Sequence, residues 1–383
     1  MKRRASLQLI GGGVVFAAAP ALTGCSSDLP AQALQAWEGP GNESDPRRWI
    51  LSYAILAPNS HNLQSWRVDL RQEGLVTLYC DTTRLLPETD PYSRQIMMAQ
   101  GTFLELFDMA AREKGYRTEI DLFPQGVFGP KAVDQRPVAQ IRLTPDGAVA
   151  KDPLFAQILR RHTNREAYED KAVPSQAVAA LQSSVSPFAI QAGVIANGDQ
   201  LQLHRAIAKD AWRIELTTPR TILESYRVLR VGPEEITKYR DGLSLNDPMV
   251  RALVRFGLFD RTKAPQPDDM AVTGEVKKFN AKLDSTSAFF WLITEGNDRK
   301  TQVNAGRAYA RAQLAATALG LSMQPLSQAL QEYPEQAKPY ADIHRLLGAN
   351  PATHTVQMWA RLGYAPPVQA SPRRGVDSHL IRT

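Results

Sequence analysis

The 383-residue chain has only two cysteines, Cys25 and Cys80, and its six histidines lie far apart. That scarcity excludes a disulfide framework and a cysteine-ligated metal centre. The scattered histidines offer no ligand-like pair, so no metal site is expected. No Gly-x-Gly-x-x-Gly follows a strand pattern, and neither a Walker loop nor a Gly-x-Ser-x-Gly elbow occurs. Charge of one sign is also lacking: the formal charge is +6, and the bases come as pairs such as Arg47-Arg48, Arg160-Arg161 and Arg373-Arg374. Without a basic stripe interleaved with aromatics, nucleic acid is not an expected partner. What remains, with 43% hydrophobic and 22% charged residues, is an ordinary globular composition in a chain long enough for two domains.

The N-terminus reads as an address. Lys2, Arg3 and Arg4 precede a weakly apolar run, Leu7 to Ala21, that is too short to span a bilayer. It ends in Leu22-Thr23-Gly24-Cys25, a close match to the lipobox of bacterial lipoproteins. That match implies cleavage and acylation at Cys25. Arg3-Arg4 with Leu7 resembles a twin-arginine signal, the route that exports folded, cofactor-loaded proteins. The expected location is the cell envelope on the periplasmic side, lipid-anchored to a membrane. Residues 1–25 are read as this signal and residues 26–45, rich in Ser, Pro, Gly and Ala, as a tether. Cys80, in the alternating run Leu75 to Cys80, is expected to be inert core.

Beyond the tether, helical and strand patterns mix. Pro46 to Leu56, Ile96 to Lys114 (stopped by Gly115) and Gly306 to Leu319 (stopped by Gly320) read as helices. Trp66 to Leu70, Val138 to Leu143 and Ala288 to Thr294 read as strands. The mixture predicts an α+β fold with helices covering a sheet.

Four stretches carry chemistry. The first, Ala57-Pro58-Asn59-Ser60-His61-Asn62-Leu63-Gln64-Ser65-Trp66, is a polar turn between helix and strand. Its amides and backbone N–H groups can read the edge of a planar heteroaromatic ring. The second, Arg160 to Tyr168, sets three arginines and a threonine within six residues, a cradle for a phosphate dianion or a cationic helix end. The third, Ala315 to Gln328, runs from a helix through a glycine stop into a polar turn. The fourth is Arg361 to Pro367 followed by Ser371-Pro372-Arg373-Arg374.

In this order the four stretches resemble the nitroreductase-like flavoprotein superfamily, and within it the Acg-like branch, from about Asp45 to the C-terminus. The resemblance implies a nitroreductase-like sheet flanked by helices and an FMN held between two units. It implies that Asn59, Ser60, Asn62 and Gln64 meet the flavin ring and that Arg161, Thr163 and Arg165 hold its phosphate. Pro325, Leu326, Ser327 and Gln328 would face N5, and Arg373 and Arg374 would supply C-terminal basic contacts. Asn59 stands where the family has serine and Ser65 where it has proline.

The order of the motifs adds a further expectation. The ring-reading turn comes first and the arginine-rich segment restarts the pattern near residue 160, yet Ser183 to Val194 lacks a second such turn. Two fused units are therefore expected to imitate a dimer in one chain, residues 46–150 and 151–383, with one FMN. Further homo-oligomerisation stays open. By resemblance the chain is an FMN-dependent oxidoreductase reducing a nitroaromatic, quinone or activated alkene at N5, with NAD(P)H as candidate donor. No protein residue is singled out as catalytic. The alternative is a flavin-holding protein without turnover, its lid formed by Arg227 to Glu275.

Overall fold

The structure is a computed structural model and describes residues 27–196 and 198–382. The signal, the lipobox and Cys25 lie outside the described residues. The first unit contains α1 (Ala31–Leu34), α2 (Pro46–Ala54), β1 (Trp66–Asp69), β2 (Leu75–Cys80), α3 (Arg94–Glu113), β3 (Tyr116–Leu122) and β4 (Pro137–Pro145). The second begins with α4 (Ser175–Ser184), β5 (Gln191–Ile195), α5 (Gly198–Thr217), α6 (Pro219–Arg227), β6 (Leu229–Val231), α7 (Gly232–Tyr239), β7 (Leu243–Leu245), α8 (Pro248–Arg255) and α9 (Met270–Asp284). It closes with β8 (Ala288–Glu295), α10 (Arg299–Ala318), β9 (Ser322–Pro325), α11 (Ala337–Leu346) and β10 (His354–Gly363). The expected α+β class is what is found.

Two antiparallel four-stranded sheets have one layout, β1-β2-β4-β3 and β5-β8-β10-β9. In each, a long helix, α3 or α10, follows the sheet's second strand in chain order. Both helices begin on a buried arginine, Arg94 or Arg299, and carry a glycine seven positions on, Gly101 or Gly306. Both end before a glycine at positive φ, Gly115 or Gly320, where a left-handed residue stops the helix. Aspartates cap both starts: Asp90 accepts from the Gln95 and Ile96 N–H groups, and Asp298 from that of Thr301.

The two helices pack directly on each other at those central glycines. A Cβ on Gly101 would overlap the Val303 carbonyl, and one on Gly306 the Met98 carbonyl. The two units thus meet backbone to backbone, as fused halves of a pseudo-dimer. They differ mainly in one connection. Residues 70–74 join β1 to β2, whereas residues 196–287 join β5 to β8 and carry α5 to α9.

The unit boundaries are interleaved rather than clean. Ile158, placed by sequence in the second unit, is buried in the core of the first. The C-terminal strap returns to β1, where the Val68 N–H donates to the His379 carbonyl and the Ile381 N–H to the Val68 carbonyl, both at 2.8 Å. Nor is the segment read as a tether free chain. Ala33 is fully buried, and Trp37 donates from Nε1 to the Ser371 carbonyl at 2.8 Å. Composition hid this, because two or three apolar residues suffice to dock a short segment. Cys80 is buried core as expected, its thiol pushed up by burial. No helix among the described residues is long and apolar enough to cross a membrane.

Gly306→Ala should lower stability by about 2 kcal/mol or more, because the methyl group has only backbone to displace. A urea midpoint equal to that of the parent protein would show that the helix pair is not this close.

Candidate functional site

The seam between the units holds a cavity of about 470 Å³. A second cavity, of about 300 Å³, adjoins it. Pro58, Asn59, Thr163, Arg165 and Leu243 line both, so the two run on from each other around those residues.

The smaller cavity is lined by buried cations. Arg161 and Arg373 are 2% and 4% exposed, and both donate to the Leu56 carbonyl, at 3.2 and 3.4 Å. Arg161 also donates to Gln313 Oε1, and Arg373 to the Ala57 and Pro372 carbonyls and to Asn62 Oδ1. Both guanidiniums lie against the Trp37 ring, 5.6 and 5.3 Å from its centroid. Neither has a carboxylate partner among the described residues, and the Nε of each is buried without a hydrogen-bond partner. Burial pulls the Arg161 pKa down to about 10, and burial together with the Arg161 charge depresses that of Arg373 further. Buried guanidiniums without a counter-charge cost several kcal/mol each, a cost that a bound anion removes. Arg165, between the cavities, makes no hydrogen bond or ion pair among the described residues. Unlike Arg161 and Arg373 it is exposed, and desolvation by the surrounding protein lowers its pKa.

The polar turn before β1 is held in a strained conformation. His61, Asn62 and Gln64 all have positive φ, 47°, 53° and 53°. Three non-glycine residues in the left-handed region within four positions store strain of the kind that clusters at ligand sites. Asn59 anchors the turn, its Oδ1 accepting from the Gln64 N–H at 2.8 Å. The Ser60 hydroxyl reaches Gln95 Oε1 at 3.3 Å.

Of the residues expected from sequence, Asn59, Ser60, Thr163, Arg165, Pro325, Ser327 and Gln328 line the main cavity. Arg161, Arg373 and Asn62 line the smaller one, so Asn62 sits by the arginines rather than in the larger chamber. Three others line neither. Gln64 is fully buried and donates to the Arg240 carbonyl at 2.9 Å, while its Oε1 accepts from the Arg374 N–H. Arg374 donates through Nη2 to the Gln64 carbonyl at 2.6 Å and thus clamps the turn. Leu326 is buried, its N–H bonded to the Trp359 carbonyl, and it anchors the 325–328 turn from behind. At that turn the Ser327 and Gln328 N–H groups open a 3-10 helix, where the first donors have no partner within the helix.

Sequence reasoning passed over several cavity residues. His61 lines the main cavity with its pKa lowered to about 4 by burial and by the Arg165 charge, so it is neutral near pH 7. The Tyr309 hydroxyl, on α10, is buried there without a partner. Trp212 and Glu215 enter from α5. The only signal for Tyr309 was a bulky polar-tipped residue among alanines. Glu215 sits in an unremarkable amphipathic pattern that gave none.

The main cavity also takes Tyr226, Leu229, Leu243, Leu245 and Phe259 from the long β5–β8 connection as a wall. The small core Val231, Val250, Phe259 and Ala271 gives that wall its own packing. Among the described residues no cluster fit to hold a metal ion occurs.

Comparison with known proteins agrees with this layout. The model of the nitroreductase family matches residues 158–364, more than half of the chain. The Mycobacterium tuberculosis (strain H37Rv) protein named "Putative NAD(P)H nitroreductase Rv3131" is 27% identical over 341 residues, 87% of this chain and 90% of that protein. The same organism's "Putative NAD(P)H nitroreductase acg" is 24% identical over 342 residues, 87% of this chain and 95% of that protein. Among solved structures, the FMN and NADPH-dependent nitroreductase NfnB from sphigopyxis sp. strain HMH is similar at 18% identity. That match covers 61% of this chain and 99% of NfnB, with a TM-score of 0.37. The chain belongs to the nitroreductase family.

Proposed function

We propose that this chain is an FMN-dependent oxidoreductase that takes electrons from NAD(P)H and reduces a small planar acceptor. A nitroaromatic, a quinone or an activated alkene would fit. One observation carries the reading: two adjoining cavities at the seam, the smaller lined by buried guanidiniums that have no carboxylate partner among the described residues and lie beside the strained turn, the larger lined by the turn from Pro325 to Gln328. Arg161, Arg165 and Arg373 would hold the phosphate of FMN, which would neutralise the two charges, Arg161 and Arg373, that the fold buries at a cost. Ser60 and the turn from Pro325 to Gln328 would meet the ring, with backbone N–H groups of that turn at its N5 edge. The unpartnered Tyr309 hydroxyl would gain a hydrogen-bond partner from the cofactor. When bound, FMN supplies the redox chemistry, and the protein's part is to bind, orient and exclude water.

The names of the mycobacterial relatives support the NAD(P)H assignment. The duplicated layout with one such strained turn among the described residues supports one FMN per chain. A lipid anchor at Cys25, on the envelope side of a membrane, belongs to the same proposal and rests on the lipobox match alone.

A second reading has an observation of its own. Residues of the Arg227 to Glu275 segment wall the main cavity, which suits a protein that stores FMN under a lid. Anaerobic addition of NADPH to the flavin-loaded protein separates the two. Bleaching, followed by reoxidation with a nitroaromatic, is expected of the oxidoreductase; flavin that dithionite reduces but NADPH does not identifies the storage protein.

Arg161→Ala and Arg165→Ala should each weaken FMN retention about tenfold or more, the loss of a charge-assisted contact worth roughly 1.5–3 kcal/mol. Dissociation constants equal to that of the parent protein would remove these residues from the site.

A further inference from the structure

The wall that α5 presents to the main cavity is apolar except at one point. Trp212 and Leu216 flank Glu215, and Trp212 stacks on Phe279 with ring centroids 4.4 Å apart. Glu215 is 6% exposed. Its Oε2 accepts from Gln331 Nε2 at 2.6 Å, and the Gln328 side chain stands beside the same carboxyl. Gln328 belongs to the turn placed above against the N5 edge, so the acid reaches the reaction zone through that side chain. No cation pairs with Glu215 among the described residues. Burial, with a smaller push from the Glu224 carboxylate, raises its pKa to about 7, while the Gln331 and Gln328 side chains pull the other way.

The charged groups on the elements packed around it do not neutralise it. On α6, Glu224 accepts from the Thr89 N–H and Oγ1 and from the Glu88 N–H. The Tyr333 phenol is pushed up by burial and by the Glu215 charge itself. On α9, Lys282 pairs with Glu166, and Glu275 stands near Lys278 and Lys282. On α11, Asp342 pairs with Lys338 and Arg345. At the head of α3, Arg94 pairs with Glu332. Arg165 stands at the junction of the cavity with the smaller chamber.

Two-electron reduction of a neutral acceptor to a neutral product needs a proton besides the hydride. The imidazole of His61, with its pKa near 4, has no proton to give at neutral pH. We propose that Glu215 is the general acid of the proposed reaction, protonating the acceptor as it is reduced beside the Gln328 turn. The carboxyl O–H bond breaks and a bond from that hydrogen to an acceptor atom forms. The hydride and both electrons come from the reduced flavin, itself recharged by NAD(P)H, and a solvent proton restores Glu215. The inference rests on the oxidoreductase reading.

The test compares the full-length, FMN-loaded parent protein with Glu215→Gln, Glu275→Gln and Gln331→Leu. Rates of flavin reoxidation by a nitroaromatic or benzoquinone are followed across pH 5–9, alongside an infrared titration of protonated carboxyl. The parent rate should fall as pH rises through about 7, with a carboxyl band lost over the same range. Glu215→Gln should be slower by about 100-fold or more at pH 6, without the inflection or the band. Glu275→Gln should keep the band. Gln331→Leu removes a hydrogen bond that favours the charged form, so both transitions should move to higher pH. An unchanged pH profile and band in Glu215→Gln would overturn the proposal. Should that variant not fold, an unmoved transition in Gln331→Leu would do so. A parent protein that binds no FMN fails the oxidoreductase reading instead, which the absorbance spectrum reveals before any variant is made.

Discussion

Two guanidiniums that share one carbonyl and one indole ring in the protein interior, neither paired with a carboxylate among the described residues, set the terms for this structure. Arg161 and Arg373 stand more than two hundred positions apart. They converge on the Leu56 carbonyl and the Trp37 ring. Four distant segments, the docked N-terminal helix, the polar turn, the arginine-rich stretch and the C-terminal strap, are tied together at this point. An arrangement costing several kcal/mol per buried ion is retained only where something repays it. A bound anionic group would offset it, and the larger cavity adjoins the place where such a group would sit.

The duplicated architecture explains why that site lies where it does. Sheets of the same order, helices of the same length and glycines at matching positions lock the units together through α3 and α10. The seam they create receives the turn from one unit and the arginines from the other, as a dimer interface would. Divergence is concentrated in the connection between the first two strands of each sheet. A short turn in the first unit becomes, in the second, the helices that wall the cavity and deliver Glu215. One half of the duplication serves as scaffold while the other has grown the means to cover and tune a site.

Much of this was legible in the residues themselves. Helix stops at Gly115 and Gly320, the alternating strand to Cys80 and the fold class followed from periodicity and capping. Asn59, Ser60, Thr163, Arg165, Pro325, Ser327 and Gln328, which the family resemblance implied as site residues, lie on the cavity wall. The failures have physical causes. Gln64, Arg374 and Leu326 are polar or loop residues whose hydrogen bonds and packing are spent on holding the turns, and a motif does not separate a contact from its support. Trp37 was hidden in a stretch whose composition reads as linker. Tyr309 and Glu215 became site residues only through helix packing between distant segments. The two fused units were expected from the order of the motifs, even though matching helix positions share an arginine and two glycines but few of their apolar residues.

The central claim is that buried arginines recognise the phosphate of a flavin nucleotide, and a comparison of FMN with riboflavin tests it most directly. The two ligands share the ring and ribityl chain and differ only in the phosphate. Isothermal titration of the full-length flavin-free protein should give one FMN per chain, bound at least about 100-fold tighter than riboflavin. That ratio corresponds to roughly 3 kcal/mol of charge-assisted hydrogen bonding. Equal affinities for the two ligands, or no binding of either at saturating concentration, would contradict the account.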